Sequence, residues 1–169
     1  MPDAFESFLV EAQTHQTEIV VDHLRADCAG LSISLVDLGT QGLLSYWFSY
    51  YLPHQLMATV TIHHPSVLIR PLGVPAKLIQ THGCASACVA EHMARQARRL
   101  HATQLGVALG DYNDDQRCFY LGVSYATITE ALPVPSPKKP DSPSLDTVLA
   151  GATLLHYYMQ RVRSRHASL

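Results

Sequence analysis

The sequence predicts an α/β fold: a single three-layer-like domain, with a mixed sheet of about four to five strands flanked by helices. Apolar residues recur at helical spacing in some segments and alternate or run β-branched in others, and the two kinds interleave along the chain. The 169 residues, 47% apolar and 15% charged, suffice for one domain with its own core, and no internal repeat divides them.

The segment from Asp3 to about Arg25 reads as a helix, with Phe5, Phe8, Leu9, Ala12, Ile19, Val20 and Leu24 near helical spacing and Asp3 and Glu6 placed as an N-terminal cap. After Gly30, the β-branched run Leu31–Val36 predicts the first strand. Leu43–Tyr51, apolar nearly all round, predicts a short buried helix that also suits contact with a partner subunit. Pro53 ends it, and Met57–Ile62 reads as the second strand. Short helical pieces follow near 66–71 and 75–81. Ser86 is placed to cap a helix reaching His101, with Val89, Met93, Ala97 and Leu100 inward and Arg95, Arg98 and Arg99 outward. Leu105–Leu109 and Cys118–Tyr125 predict the third and fourth strands, and Thr127–Val134 a fifth. Five prolines between Pro133 and Pro143 predict a stiff connection inside the domain spanning 1–169. Ser142 as cap and Pro143 in first position would start a last helix with Leu145, Val148, Leu149, Ala152, Leu155, Met159 and Val162 on one face.

A formal charge of −2 speaks against a nucleic-acid partner. The apolar runs fall short of the ~20 residues that cross a bilayer, so no membrane partner is expected. The opening Met1-Pro2-Asp3-Ala4-Phe5-Glu6 is acidic where a signal peptide is basic, and four cysteines are few for a disulfide scaffold, which predicts a cytoplasmic protein with reduced thiols.

Three predicted strands end in polar clusters: Asp37 to Thr40, His63-His64, and Asp111-Tyr112-Asn113-Asp114-Asp115. If those strands run the same way, their carboxyl ends border one crevice, where α/β sheets take ligands. Asp37, Thr40, His63, His64, Asp111 and Asp114 are therefore the candidate ligand-binding residues, against the alternative of ordinary solvated loops.

Leu72-Gly73-Val74-Pro75-Ala76-Lys77-Leu78, then His82-Gly83-Cys84-Ala85-Ser86 before a long helix and a strand, resembles the CinA C-terminal domain family, which includes the nicotinamide-nucleotide amidases (PncC). The family pattern there is L-G-V-x-x-x-x-L followed by H-G-A-V-S, and the resemblance runs from the first helix to the last. It implies hydrolysis of the carboxamide of nicotinamide mononucleotide by a serine nucleophile assisted by a lysine. The motifs that carry this chemistry differ here. Asp37-Leu38-Gly39-Thr40-Gln41-Gly42 stands in place of E-S-C-T-G-G, with Leu38 at the serine position. His63-His64-Pro65-Ser66-Val67-Leu68 replaces Y-S-N-x-x-K, with His63 at the tyrosine and Leu68 at the lysine. An acidic Gly110–Asp115 loop replaces the glycine-rich G-I-A-G-P, and Leu145 and Leu149 occupy the arginine positions. Leucine neither attacks a carbonyl nor accepts a proton, so the resemblance implies the fold without the amidase residues: a ligand-binding or homo-oligomeric protein with no cofactor and no assignable catalytic residue. The nucleotide-like ligand of the family remains the candidate small molecule, and an altered amidohydrolase is the alternative.

Two sets of residues resemble metal ligands. His82, Cys84, Cys88 and His92 lack the short C-x2-C spacing, and packed thiols account for them. His63 and His64 with Asp111, Asp114 and Asp115 form the second, a metal-dependent alternative limited by the opposite directions of neighbouring strand side chains. No metal is assigned. Thr40 suits a helix N-cap better than a nucleophile. The Tyr46-Trp47-Phe48 and Tyr50-Tyr51 run, without interleaved basic residues, suits core or subunit contact better than base stacking.

Overall fold

In the computed structural model the described residues are 4–64, 68–136 and 144–166, with side chains described from residue 15 onward except at 71 and 165–166. Six helices and five strands follow in the order α1 (Ala4–Asp27), β1 (Ile33–Asp37), α2 (Leu43–Tyr51), β2 (Leu56–Thr61), α3 (Ile69–Leu72), α4 (Ala76–His82), α5 (Ala87–Leu100), β3 (Leu105–Leu109), β4 (Cys118–Tyr125), β5 (Ile128–Pro135) and α6 (Leu145–His166). The strands form one sheet in the order β2-β1-β3-β4-β5, with β2, β1 and β3 mutually parallel and β4 and β5 antiparallel.

Strand periodicity divides the core between the two faces. Ile33, Leu35, Leu105, Val107 and Leu109 point into a cluster with Leu24, Phe48, Val148, Met159 and Val162 from α1, α2 and α6. Val36 and Ala108 point the other way, into a cluster with Val89, Met93, Ala94, Leu72 and Val74 from the α3–α5 segment. Both faces of β1 and β3 are thus covered, and every residue of these two strands is buried. This is the expected three-layer α/β domain.

Helix α5 sits unusually close to the sheet. A Cβ on Gly106 would lie 2.1 Å from the Ala94 carbonyl oxygen, and one on Gly122 would lie 2.1 Å from that of Ala90. Glycine in the strands and alanine in the helix permit this approach, and it fixes where the arginines at the end of α5 emerge.

On the opposite face, α1 and α6 are joined by polar contacts as well as apolar ones. The Asp27 carboxylate is 2% exposed and accepts from His156 Nδ1 and Gln160 Nε2, each at 2.6 Å. Arg163 donates to the Asp27 carbonyl, and His23 stacks on His156 with ring centroids 4.5 Å apart. Burial, then the charge of Asp27, pushes the neighbouring Cys28 thiol up to about 12, with Arg163 opposing.

Several sequence expectations need correction. Ile19, Leu100 and Leu145, expected inward, are exposed; Leu100 and Leu145 are terminal residues of their helices, where the stripe runs beyond the sheet. Ser86 does not cap α5 with its side chain, because its hydroxyl donates instead to the Gly83 carbonyl. At α6 the residue before the first turn is Ser144, whose hydroxyl accepts from the Asp146 amide; the expected cap Ser142 and Pro143, like Asp3, lie outside the described residues. The stiff connection does not begin at Pro133. Pro133 and Pro135 belong to β5, an edge strand, where a missing N–H on the outer side breaks no ladder.

Candidate functional site

Because β2, β1 and β3 are parallel, the three polar clusters do lie along one edge of the sheet, at the carboxyl ends of those strands. The order 2-1-3-4-5 makes β1 and β3 the topological switch point, with α2 packed on one face and α5 on the other.

Asp37 ends β1 and is completely buried. Its carboxylate accepts from five donors: the amides of Thr40, Gly42, Leu44 and Ser45, and the Thr40 hydroxyl at 2.7 Å. The Thr40 hydroxyl in turn accepts from the Leu44 amide at 3.0 Å, and Thr40 is 1% exposed. Together they satisfy the amides that the first turn of α2 leaves open and place a negative charge at the positive end of the helix.

The loop between Asp37 and α2 folds over β3. The amides of Leu38 and Gly39 both donate to the Leu109 carbonyl, at 3.0 and 3.2 Å. A Cβ at Gly39 would fall 2.4 Å from the Gly110 carbonyl oxygen and 2.8 Å from the Phe119 ring, so the two strand ends touch backbone to backbone. Leu38 and Leu68, at 5% and 0% exposure, join the same buried apolar cluster with Ile62, Leu72 and Val74. The two positions that the resemblance aligns with a nucleophile and its lysine therefore both belong to one packed apolar cluster.

His63 and His64 follow the end of β2 in a bend, and both are exposed. The expected opposition of strand side chains does not apply to them, because the strand has already ended at Thr61. Beyond β3, the Gly110–Arg117 segment is the tight connection of an antiparallel pair. Asn113 and Cys118 exchange backbone hydrogen bonds, the Asn113 amide reaches the Ala85 carbonyl at 2.8 Å, and the Tyr112 hydroxyl donates to the Ser136 carbonyl. Asp111 accepts from the Tyr112 amide, whereas Asp114 and Asp115 are exposed at the tip. Burial first, and the Asp111 charge second, raises the Cys84 thiol above its ordinary range.

Among the described residues no group of three or more His, Cys, Asp or Glu side chains is arranged to hold a metal ion. His92 Nε2 lies 3.1 Å from the Gly73 carbonyl and 3.2 Å from Gln96, tying α5 to the turn after α3. In α2, Trp47 and Phe48 are core residues, while Tyr46 and Tyr50 are 67% and 66% exposed and stack on one another.

A cluster of a different kind lies at the opposite edge of the sheet. Arg95, Arg98 and Arg99, read from the sequence only as an outward helix face, line a cavity of about 460 Å³ with Ala102, Thr103 and Ser124. The i, i+3, i+4 spacing of the three arginines is the signal in the sequence that marks it.

No family model matches the chain, and no curated protein does. Solved structures do. A CinA superfamily protein from Enterobacter cloacae is 17% identical, with a TM-score of 0.66 over 86% of this chain and 89% of that one. One from Klebsiella pneumoniae is 14% identical, with a TM-score of 0.67 over 91% and 99%. The competence/damage inducible protein CihA from Agrobacterium tumefaciens is 14% identical, with a TM-score of 0.65 over 88% and 94%. With TM-scores of 0.65–0.67 over 86–91% of its length, the chain has the CinA-like fold, at 14–17% sequence identity.

Proposed function

We propose that this chain is a CinA-like domain without amidase catalysis, acting through ligand binding and through contact with a second copy of itself. The observation that carries the proposal is the burial of Leu38 and Leu68 in one apolar cluster at the place where the resemblance would set a serine and a lysine. Neither leucine can attack a carboxamide or take a proton, and a site without a nucleophile and its base forgoes several orders of magnitude of rate. The engagement of Asp37 and Thr40 with α2 supports the same reading, because it leaves neither free to substitute. Tyr46 and Tyr50, exposed side by side on α2 next to the edge strand β2 and its exposed Met57, are the surface for the second copy. Free thiols at Cys28, Cys84, Cys88 and Cys118 suit a reducing compartment, the cytoplasm. No described helix is long and apolar enough to cross a membrane.

The test is ammonia release from nicotinamide mononucleotide by the purified protein beside a Thr40→Ala control. Silence at high enzyme concentration is the expected result. Turnover that the control abolishes would overturn the proposal and restore the altered amidohydrolase. Light scattering checks the oligomer, and a monomer at high concentration would remove that part of the reading.

A further inference from the structure

Helix α5 ends in an arginine cluster in which, among the described residues, neither Arg95 nor Arg99 is ion-paired. Three of the chain's twelve Lys and Arg residues fall within the five positions Arg95 to Arg99. No Asp or Glu occurs from His92 to Gly110 or from Gln116 to Thr129, the segments that supply the rest of α5, β3 and β4. Among the described residues, arginine ion pairs join Arg25 to Asp22 and Arg161 to Glu130, and neither Arg95 nor Arg99 has one. Glu130 serves Arg161 on the α6 side of the sheet, while its neighbour Thr129 contacts Ser124 on the α5 side. The nearest acid on the same helix is Glu91, a turn before Arg95.

Arg98 is held in place from the protein side. Its Nη1 donates to the Ala126 carbonyl and to the Ser124 hydroxyl, and the close seat of α5 on Gly106 brings the Arg98 Cβ against the strand. Thr103 and Ser124, 7% and 1% exposed, give the cavity a polar floor, with the Thr103 hydroxyl 2.8 Å from that of Ser34. Arg95 and Arg99, exposed and four residues apart, stand on one helix face beside the anchored Arg98. The dipole of α5 explains cations at Arg98 and Arg99, in the last turn. Arg95 stands a turn earlier, four residues after Glu91 with no ion pair formed to it and four before Arg99, a like charge.

We infer that the cavity of about 460 Å³ bordered by Arg95, Arg98 and Arg99 is a binding site for a small phosphorylated ligand, at the edge of the sheet opposite the carboxyl ends of β1–β3. A tetrahedral oxyanion offers several acceptors to guanidinium forks, and three such forks around a polar floor match a phosphate or diphosphate group. The overall charge of −2 and the confinement of the arginines to one cavity fit a small anion and not a nucleic-acid backbone, which needs an extended basic track.

The probes are sodium pyrophosphate and inorganic phosphate, titrated calorimetrically into the protein and into an Arg95→Gln/Arg99→Gln double variant at matched ionic strength. Both replaced side chains are exposed, so the variant keeps its fold, which circular dichroism and thermal unfolding confirm. The expected result is saturable binding of pyrophosphate by the unaltered protein, weakened at least about tenfold in the double variant. Equal affinity in both proteins, or no binding up to about 10 mM, overturns the proposal. So does arginine-dependent binding of a short single-stranded oligonucleotide in the absence of pyrophosphate binding. This site is separate from the apolar-filled crevice, so its outcome is independent of the ammonia assay.

Discussion

Asp37→Ala tests most directly whether the carboxylate at the end of β1 is structural. Removing it leaves the buried amides of Thr40 and Ser45 and the half-buried amide of Gly42 without their acceptor, and the Thr40 hydroxyl without its own; the Leu44 amide keeps the Thr40 oxygen. An orphaned buried donor costs roughly 1–3 kcal/mol, and the lost charge at the N-terminus of α2 roughly 1 kcal/mol more, with local relaxation recovering part of the sum. The expected destabilisation is about 4 kcal/mol, at the upper end of single substitutions. Asp37→Asn retains one acceptor oxygen but turns an NH2 group toward amide donors, and should cost about half as much. Urea unfolding followed by Trp47 fluorescence reads both: with a slope of about 2 kcal/mol per molar, the Ala variant's midpoint falls by about 2 M without a change of slope. An Asp37→Ala protein within about 1 kcal/mol of the original would refute the reasoning, because the amides would then be satisfied without the carboxylate.

Gly106→Ala pushes a methyl group to 2.1 Å from the Ala94 carbonyl, so α5 must lift off the sheet; about 3 kcal/mol of stability is lost in urea unfolding, and pyrophosphate binding weakens with the displaced Arg98. Asp27→Ala strips His156 and Gln160 of their shared buried acceptor and should cost about 3 kcal/mol by the same assay, while a change under about 1 kcal/mol would show that α1 and α6 hold without it. Cys28, its pKa pushed up to about 12, has a thiolate fraction of about 10⁻⁴ at pH 8, so iodoacetamide followed by peptide mass analysis should modify exposed Cys88 and leave Cys28 untouched until the protein unfolds. A Leu38→Ser/Leu68→Lys double variant should unfold or lose more than about 4 kcal/mol without gaining ammonia release, since it buries a cation in a hydrocarbon cluster; a folded, active variant would show that the crevice needs only its residues restored.

The strands of the central sheet were legible because their side chains meet the core on both faces. Leu105–Leu109 and Cys118–Tyr125 have the observed bounds, and Leu43–Tyr51 reads correctly as a helix because apolar residues surround it. What the sequence left open depends mostly on contacts made far along the chain. Locally, the Ser144 hydroxyl accepts from the Asp146 amide, a contact that residue type alone does not single out. Pro133 and Pro135 read as a break until β4 supplies the one partner an edge strand requires. Asp37 is marked as polar and placed at a strand end, yet the direction of its carboxylate follows from the turn Leu38–Gly42, whose tightness depends on Gly39 meeting Gly110, about seventy residues later. The parallel direction of β1, β2 and β3 confirms a common edge for the polar clusters without making that edge a pocket.

The two edges of the sheet thus differ in how their residues are committed. At the carboxyl edge, Asp37 and Thr40 face α2, Leu38 and Leu68 face the core, and the backbone of Leu38 and Gly39 is bonded to Leu109. Two leucines packed among apolar neighbours leave no polar cavity at this point of the carboxyl edge. The packing of both leucines with Ile62, Leu72 and Val74 makes the region part of the folding core. The amino edge has the reverse character: Arg98 is fixed, while Arg95 and Arg99 keep their charges unneutralised beside an open cavity. Uncompensated charge persists at a cost in self-repulsion that the fold does not require, and an anionic ligand is the simplest partner that would remove it.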